Sequence, residues 1–176
     1  AGISVAGPKS RDVLRSSLED VNKITNENLP FMGIISTFLK GKIPCRIARI
    51  SFSGELAFEI YVKSDFANTM MDLIWKNVQK YDGCLYGLEA LGALRIEKGH
   101  VTAAELDGRV TIDDAGLSKM ASVKKSYIGS AMRKRGVLSD DDREILVGFF
   151  PQDLKETFNA GTIVCEEKSI KGQGIG

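Results

Sequence analysis

The sequence has few of the residues that most readily identify a function. It contains one histidine, one tryptophan and three cysteines, and Cys45, Cys84 and Cys165 are scattered without a C-x-x-C pair. This arrangement predicts neither a disulfide framework nor a metal site, and it fits a reducing cytoplasm. We expect the thiols to be small buried groups or inert surface groups.

An excess of charge, a long apolar run and a secretory signal are also absent. Lys and Arg number 24 against 23 Asp and Glu, which gives a net charge of +1. Such a balance gives no reason to expect nucleic acid or an anionic membrane as a partner. No apolar run approaches the ~20 residues of a membrane span, and the sequence does not open with a basic segment followed by an apolar one. We therefore predict a cytoplasmic protein.

Nucleotide-binding and relay motifs are missing as well. There is no P-loop and no G-x-G-x-x-G after a strand. A nucleophilic relay would have to use His100, but this residue directly follows a glycine that ends a helix, so we favour a structural role. Asp113 and Asp114 have the chemistry for acid–base work, yet neighbours on an extended chain face opposite ways, and we expect one of them to cap a short helix. Residue chemistry alone favours a binding module over a self-sufficient enzyme.

The chain does contain regular strand and helix patterns. Strand-like stretches occupy 3–6, 31–38, 43–50 and 56–62, and helical patterns follow Pro8, occupy 65–80 and occupy 87–99. Ser64 is expected to cap the second helix, and Gly99 to end the third. Strand-rich units separated by helices, without a strict βαβ repeat, predict an α+β fold.

The C-terminal part is more polar. A helix is predicted over 127–136, and the charged stretch 138–144 is the predicted domain boundary. Beyond it, "EILVGFF" and "GTIVCEE" are predicted to be strands of a β-rich domain. Strand-like segments are interrupted at both ends of the chain ("ISVAGP" and "GQGIG"), so we expect the sequence to be a piece of a longer protein.

One hairpin carries an unexpected carboxylate. In "RISFSGELAFEIYV" the apolar residues alternate from Leu56 to Val62, as in a half-buried strand, and Ser53-Gly54 supplies a turn. Glu55 directly follows the turn glycine, at the edge of this apolar stretch. Such a carboxylate is ordinarily a solvated surface group, and its other use is to bind a ligand.

Taken together, these stretches resemble a known family. "ISVAGPKSRDVL", "LPFM", "ARISFSGELAFEIYV", "YGLEALGALRIEKGH", "LDGRVTIDDAGL" and "SYIGSAM" occur in the order found in the folate-binding, aminomethyltransferase-like domain. That domain occurs in the glycine cleavage T-protein, in dimethylglycine and sarcosine dehydrogenases, and in the sarcosine oxidase alpha subunit. Two motifs resemble the alpha-subunit subgroup in particular: "LRIEKG", and "DDAGL" followed by "KK" and "IG". A T-protein would instead show "GYTGE" and "ARDSLRLE".

The resemblance implies a fold, a ligand and partners. The fold is an α+β aminomethyltransferase-like fold with a ferredoxin-like α/β core, followed by the start of a C-terminal β-barrel. Residues 1–137 would form the folate-binding domain, incomplete at its N-terminus, and residues 143–176 the truncated start of the barrel. The ligand would be tetrahydrofolate. FAD, FMN and NAD are expected elsewhere in the complete enzyme, together with beta, gamma and delta subunits as partners.

The resemblance also gives Glu55 a role. In this family the Glu of the "SGE" or "TGE" turn binds the pteridine of tetrahydrofolate, whose 2-amino-4-oxo edge offers adjacent N–H donors to a carboxylate. Phe52 stands where the T-protein has Tyr, so a phenolic hydrogen bond is lost while a stacking surface is kept. Leu91 stands where the T-protein has an Arg ligand, so we do not carry that ligand over. The family's catalytic Asp lies upstream of this chain, and we assign no catalytic residue here.

The implied function is that of the tetrahydrofolate-binding segment of a sarcosine oxidase alpha subunit. Such an enzyme takes the one-carbon unit of oxidised sarcosine onto tetrahydrofolate and gives 5,10-methylenetetrahydrofolate and glycine. We expect the chain alone to be inactive. Two alternatives are open: a T-protein aminomethyltransferase that acts on a lipoyl-bound aminomethyl group, and a non-catalytic folate-binding module.

Overall fold

The computed structural model describes residues 1–140, 142–153, 155–159 and 161–164. The chain divides into two compact units, Ala1–His100 and Val101–Gly176. The domain limits expected from the sequence, 1–137 and 143–176, stay a prediction.

The first unit is built on a four-stranded antiparallel sheet with the strand order β1-β4-β3-β2. Its strands are β1 (Gly2–Ala6), β2 (Ile34–Leu39), β3 (Ile43–Ala48) and β4 (Ala57–Tyr61). Its α-helices are α1 (Ser10–Ser17), α2 (Ala67–Gln79) and α3 (Leu88–Lys98). Each strand and helix predicted for this part of the chain is therefore confirmed, with shifts of a few residues at the ends.

The core lies between the sheet and the helices. Phe58 and Ile60 of β4, Leu14 of α1 and Met70 of α2 are almost fully buried in one apolar cluster, whereas Tyr61 of β4 is exposed. This is the alternation that the sequence predicts for the hairpin. Because each buried side chain of this size contributes about 1.5–3 kcal/mol, the core holds β4 firmly against the helices.

The ends of two helices test the predicted caps. Ser64 does not cap α2: it lies in a 3₁₀ turn, Ser64–Phe66, and α2 begins at Ala67 without a side-chain cap. The turn forms because the Phe66 N–H donates to the Lys63 carbonyl at 3.0 Å, which delays the α-helical pattern. Gly99 ends α3 in the left-handed conformation, with φ 70°, as predicted.

The α+β class is confirmed, but the finer fold label is not matched by the described residues. A ferredoxin-like core runs βαββαβ, whereas here β3 pairs directly with β4 and α2 comes after the fourth strand. The third and fourth strands thus form a hairpin, whose loop is the segment that carries Glu55.

In the described residues, the second unit consists mainly of turns, two short 3₁₀ helices and one short α-helix. That helix, α4 (Ser130–Arg133), is shorter than the predicted 127–136. The reason is Gly129, which precedes it with φ 92° and cannot continue a right-handed helix.

The β-rich domain expected beyond residue 143 is not seen in the described part of the chain. The stretch 144–150 is not a strand: its Leu146 N–H donates to the Asp114 carbonyl at 2.8 Å, and a strand needs a ladder of such bonds. Residues 161–164 of the second predicted strand are also irregular, and 165–167 lie outside the described residues. The predicted start of a β-barrel is therefore not supported here.

Two properties of the described residues bear on the chain's chemistry. Cys45 and Cys84 are free thiols, the first buried and the second exposed, while Cys165 lies outside the described residues. Burial raises the pKa of the Cys45 thiol to about 11, so it is unreactive near neutral pH. Within the described stretches, every helix is too short or too polar to cross a membrane.

Candidate ligand-binding site

The loop between β3 and β4 presents the carboxylate singled out in the sequence. The two strands pair through Arg46–Tyr61, Ile47–Ile60 and Ala48–Glu59, which leaves residues 49–56 as a loop longer than a two-residue turn. Gly54 within it has φ 88°, a conformation that costs other residues about 1–2 kcal/mol. Its N–H donates to Ser51 Oγ at 2.9 Å. This local turn sets the direction in which the chain enters Glu55.

The C-terminal end of α3 braces this loop. A Cβ atom on Gly54 would lie only 2.5 Å from Lys98 Cδ, so the lysine stem packs directly against the glycine. The His100 ring meets the Phe52 ring with centroids 4.7 Å apart and planes tilted by 56°. Tilted rings at this spacing attract each other. Glycine at position 54 is therefore favoured by its φ, and a Cβ atom there would in addition require the Lys98 stem to move.

The cap of α3 fixes the position of His100. The left-handed Gly99 turns the chain, the His100 N–H donates to the Arg95 carbonyl at 2.8 Å, and Arg95 Nη1 donates to the His100 carbonyl at 3.3 Å. The cap thus holds the histidine backbone from two sides. The contacts of Lys98 and His100 with this loop were not predicted from the sequence. The available signal was that "SFSGE" and "RIEKGH" belong to the same family pattern.

Glu55 itself is exposed. Among the described residues it makes no hydrogen bond and no ion pair, so both carboxylate oxygens are open to donors of a ligand. Phe52, on the same loop, is 41% exposed and offers the free part of its ring as a stacking surface. The structure therefore brings the two predicted ligand-binding residues onto one braced loop.

Glu59, on the same hairpin, is engaged differently. Its carboxylate accepts a hydrogen bond from the Tyr61 hydroxyl, and this bond raises the pKa of Tyr61. A carboxylate with a partner on its own strand has less capacity for a ligand than Glu55 has.

Leu91 lies in apolar surroundings. It lines a cavity of about 530 Å³ together with Trp75, Val78 and Tyr86. Its role is apolar packing, which agrees with leaving the T-protein's Arg ligand out of the candidate site.

The acidic pair of the second unit forms ion pairs instead of capping a helix. Asp113 accepts two hydrogen bonds from Arg133, at 2.7 and 2.6 Å. Asp114 accepts from Arg143 Nε at 2.8 Å and from the Thr111 N–H at 2.7 Å. The expected helix cap is wrong, because the two side chains diverge toward two different guanidinium groups.

These ion pairs rule out ordinary acid–base work by the two carboxyls. The hydrogen bonds from Arg133 lower the pKa of Asp113 to about 2, and those from Arg143 lower the pKa of Asp114 still further. Both groups are ionised near neutral pH and are poor proton acceptors. No cluster of His, Cys, Asp and Glu that could hold a metal ion occurs in the described ranges.

The fold and the loop define a class of protein: a two-layer α/β domain with an open carboxylate and an aromatic ring on one braced loop. Residues 1–125 match the family described as "GCVT N-terminal domain", and the chain belongs to that family. The resemblance recognised from the motifs is thereby confirmed.

Relatives support the same assignment. The chain is 36% identical over 165 residues to sarcosine oxidase subunit alpha of Rhizobium meliloti (strain 1021), covering 92% of this chain and 16% of that protein. It is 31% identical over 176 residues to sarcosine oxidase subunit alpha of Corynebacterium sp. (strain U-96), covering 99% and 18%. It is 27% identical over 140 residues to an aminomethyltransferase of Corynebacterium aurimucosum, covering 77% and 37%. The chain thus spans less than a fifth of the two alpha subunits.

Proposed function

We propose that this chain is the tetrahydrofolate-binding segment of a sarcosine oxidase alpha subunit. The complete enzyme would oxidise the N-methyl group of sarcosine and transfer the one-carbon unit to tetrahydrofolate. Its products would be glycine, 5,10-methylenetetrahydrofolate and hydrogen peroxide. FAD, FMN and NAD would bind elsewhere in the enzyme, beta, gamma and delta subunits would be its partners, and its location would be the cytoplasm.

The observation that supports this proposal is the free carboxylate of Glu55 beside the exposed ring of Phe52. The edge of a pterin carries adjacent N–H donors, and a carboxylate accepts two of them in a bidentate, charge-assisted pair. The face of a pterin is flat and aromatic, and a phenylalanine ring can stack on it. One loop therefore presents groups suited to both the edge and the face of the same ring system.

The chain's own contribution would be to bind and orient. Glu55 would fix the rotation of the pterin in its plane, and Phe52 would fix the plane itself. Lys98 and His100, which pack on the loop, would hold these two groups in place before the ligand arrives. Bound tetrahydrofolate supplies the nitrogen atoms that accept the one-carbon unit.

The test is calorimetric titration of a tetrahydrofolate analogue into the natural full-length protein, together with an assay for methylenetetrahydrofolate formed from sarcosine. We expect one binding site per alpha subunit and folate-dependent product. Failure to bind the analogue would contradict the proposal.

Family membership keeps a second candidate function open. The match to an aminomethyltransferase favours transfer of an aminomethyl group carried by a lipoyl protein. Supplying either sarcosine or an aminomethyl-lipoyl donor to the full-length protein separates the two functions, because only one donor should yield methylenetetrahydrofolate. A protein that binds folate and uses neither donor would be a non-catalytic binding module.

A further inference from the structure

A cavity of about 1010 Å³ lies in the second unit, and its lining contains no residue of the loop that carries Glu55. Its lining contains five cationic side chains against three carboxylates. Small-molecule sites usually have volumes of about 300–1,000 Å³, so the space is large enough for a ligand. What such a ligand would be depends on which of these charges are already neutralised.

The two arginines of the lining are occupied. Arg133 holds Asp113 in a bidentate pair, and Arg143 holds Asp114 in another. The pKa values of both carboxyls lie well below their ordinary range because of these hydrogen bonds. The two pairs therefore remain ionised and mutually neutralised at neutral pH, and they contribute little net charge to the cavity.

Three lysines remain. Within the described residues Lys124, Lys125 and Lys134 form no ion pair, and each lines the cavity. The one other carboxylate of the lining, Asp140, accepts the Asp142 N–H at 3.2 Å. The cavity thus presents three ammonium groups against one carboxylate, a surplus of positive charge in a concave site.

Neutral hydrogen-bond donors stand beside the lysines. Tyr127 lines the cavity and carries a hydroxyl group that can donate a hydrogen bond. Ser130 Oγ accepts the Tyr127 N–H at 3.5 Å, and it too keeps its O–H. Ser126 is exposed in the same lining. Hydroxyl and ammonium donors together are the groups that bind phosphate and carboxylate oxygens.

Hydrogen bonds to the Ser122 side chain define the turn that carries Lys124 and Lys125. Ser122 Oγ accepts the backbone N–H groups of Lys124 and Lys125, at 3.2 and 3.3 Å. This turn fixes the backbone from which two of the three lysines project. The two side chains therefore start from a defined backbone and not from an unconstrained loop.

From these observations we propose that this cavity is a binding site for a small oxyanion that carries at least two negative charges, as phosphate or carboxylate groups. The site is assigned to the second unit alone, and it does not depend on folate binding at Glu55. Its ligand class follows from three lysines that have no ion-pair partner in the described part of the chain, two neutralised Asp–Arg pairs and the neighbouring hydroxyl donors. Lysine acts here as a compact point charge, which suits tetrahedral and planar oxyanions alike.

The experiment is calorimetric titration of the natural full-length protein with pyrophosphate and, separately, with citrate. We expect one site with micromolar to millimolar affinity that weakens as salt is added. Stronger binding of pyrophosphate would indicate a phosphorylated ligand, and stronger binding of citrate a polycarboxylate. Either result supports the oxyanion class.

Lysine variants test whether the binding takes place in this cavity. Each of three variants, Lys124→Gln, Lys125→Gln and Lys134→Gln, should weaken binding about 3- to 10-fold. This loss of affinity lies between the loss expected for an exposed ion pair and that expected for a charge-assisted hydrogen bond. The matched control is Lys119→Gln, an exposed lysine of the same unit that lies outside the lining, and it should leave affinity unchanged.

Three outcomes would overturn the proposal. One is that neither anion binds at millimolar concentration. Another is that Lys119→Gln weakens binding as much as the lining variants do, which would indicate non-specific attraction. The third is that only a long polyanion such as heparin binds, which would make the cavity part of a surface for an acidic macromolecule. Unchanged binding of the tetrahydrofolate analogue in all the lysine variants would show that the two sites are separate.

Discussion

Glu55 and Glu59 lie on the same hairpin in different surroundings. Glu59 has a partner on its own strand, the Tyr61 hydroxyl, whereas Glu55 is exposed and has no partner among the described residues. Residue type and spacing alone do not predict which of the two glutamates has a partner. The difference comes from the Gly54 turn, which places Glu55 on the loop and not on the strand. A pair of equal side chains in unequal settings makes a matched comparison possible.

If Glu55 binds the pterin as proposed, replacing it by Ala should weaken tetrahydrofolate binding by roughly 2–4 kcal/mol, because two charge-assisted hydrogen bonds would be lost and such bonds are not fully additive. This corresponds to about a 30- to 1,000-fold loss of affinity. Glu55→Gln should fall between, since the amide keeps one acceptor and loses the charge. The measurement is calorimetric titration of an analogue into the full-length protein and its variants.

The control for this prediction is Glu59→Gln. Its amide oxygen can still accept from Tyr61, so we expect wild-type affinity. Wild-type affinity in Glu55→Ala, with the fold intact by circular dichroism, would return Glu55 to the role of a solvated turn residue.

The Asp113–Arg133 pair predicts a dependence of stability on acid. The pKa of Asp113 is lowered from 3.8 to about 2 in the folded chain, so the folded state favours the ionised form. The stabilisation is complete above about pH 4 and is lost as the pH falls through 2. Protection of the 111–116 backbone amides, corrected for intrinsic exchange, should therefore decline over this range.

Two variants test the acid prediction. Asp113→Asn should flatten the decline, because the titrating group is gone, and should also lower protection at pH 6. Asp72→Asn, an exposed change on α2, should leave the wild-type profile unchanged. A wild-type profile that is flat between pH 4 and pH 2 would contradict the role of the ion pair.

At the scale of elements, the hydrophobic patterns of period 2 and period 3.6 were enough to predict the strands and α-helices of the first unit. The buried Phe58 and Ile60 and the left-handed Gly99 agree with the sequence-based prediction. The patterns could not reveal that the end of α3 packs on the β3–β4 loop, because contacts such as Phe52–His100 join positions far apart in the chain. Periodicity reports which face of an element is buried and not which other element covers it.

The packing of α3 on the loop gives a prediction at this scale. Gly54→Ala should destabilise the loop in two ways, through a positive φ that costs about 1–2 kcal/mol and through a clash with Lys98. We expect weaker binding of the tetrahydrofolate analogue and faster amide exchange across 51–56. Both follow from a displaced Glu55 and not from loss of its carboxylate.

The double variant Gly54→Ala/Lys98→Ala separates the two causes. Removing the lysine stem relieves the clash but not the strained φ, so binding should recover in part. Full recovery would show that backbone strain is unimportant, and no recovery would show that Lys98 does not press on the loop.

At the scale of the whole molecule, the second unit marks the limit of pattern-based prediction. Its ion pairs join Asp113 to Arg133 and Asp114 to Arg143 across long stretches of chain, and local patterns contain no signal for such pairing. The predicted strand at 144–150 is apolar and of suitable length, yet it has no ladder partner in the described residues. An isolated strand pattern predicts a strand only when a neighbour is available to pair with it.

The 176-residue chain should turn over neither sarcosine nor an aminomethyl donor. The reason is that it spans only 16% and 18% of the two sarcosine oxidase alpha subunits that it matches. The check is an assay for methylenetetrahydrofolate with the isolated chain, using the full-length protein as the positive control. Product formed by the isolated chain would show that binding and chemistry reside in the same segment.

The open edge of β1 predicts how the isolated chain behaves in solution. Among the described strands β1 pairs only with β4. The Ala1 amino group donates to the Val62 carbonyl, and the Val62 N–H donates to the Ala1 carbonyl. In an antiparallel ladder such doubly bonded pairs alternate with unbonded ones along the strand. The N–H and C=O groups of Gly2, Ser4 and Ala6 therefore point to the open side.

An open, uncharged edge of this kind can pair with another strand, and we expect the mass measured by light scattering to rise with concentration. Ser4→Lys, an exposed change on this edge, should reduce that rise, because a charge at the edge opposes pairing. Ser64→Lys, also at an exposed position but outside the sheet, should not. A monomeric wild type at every concentration, or equal effects of the two lysines, would show that β1 is not the surface through which the chain associates.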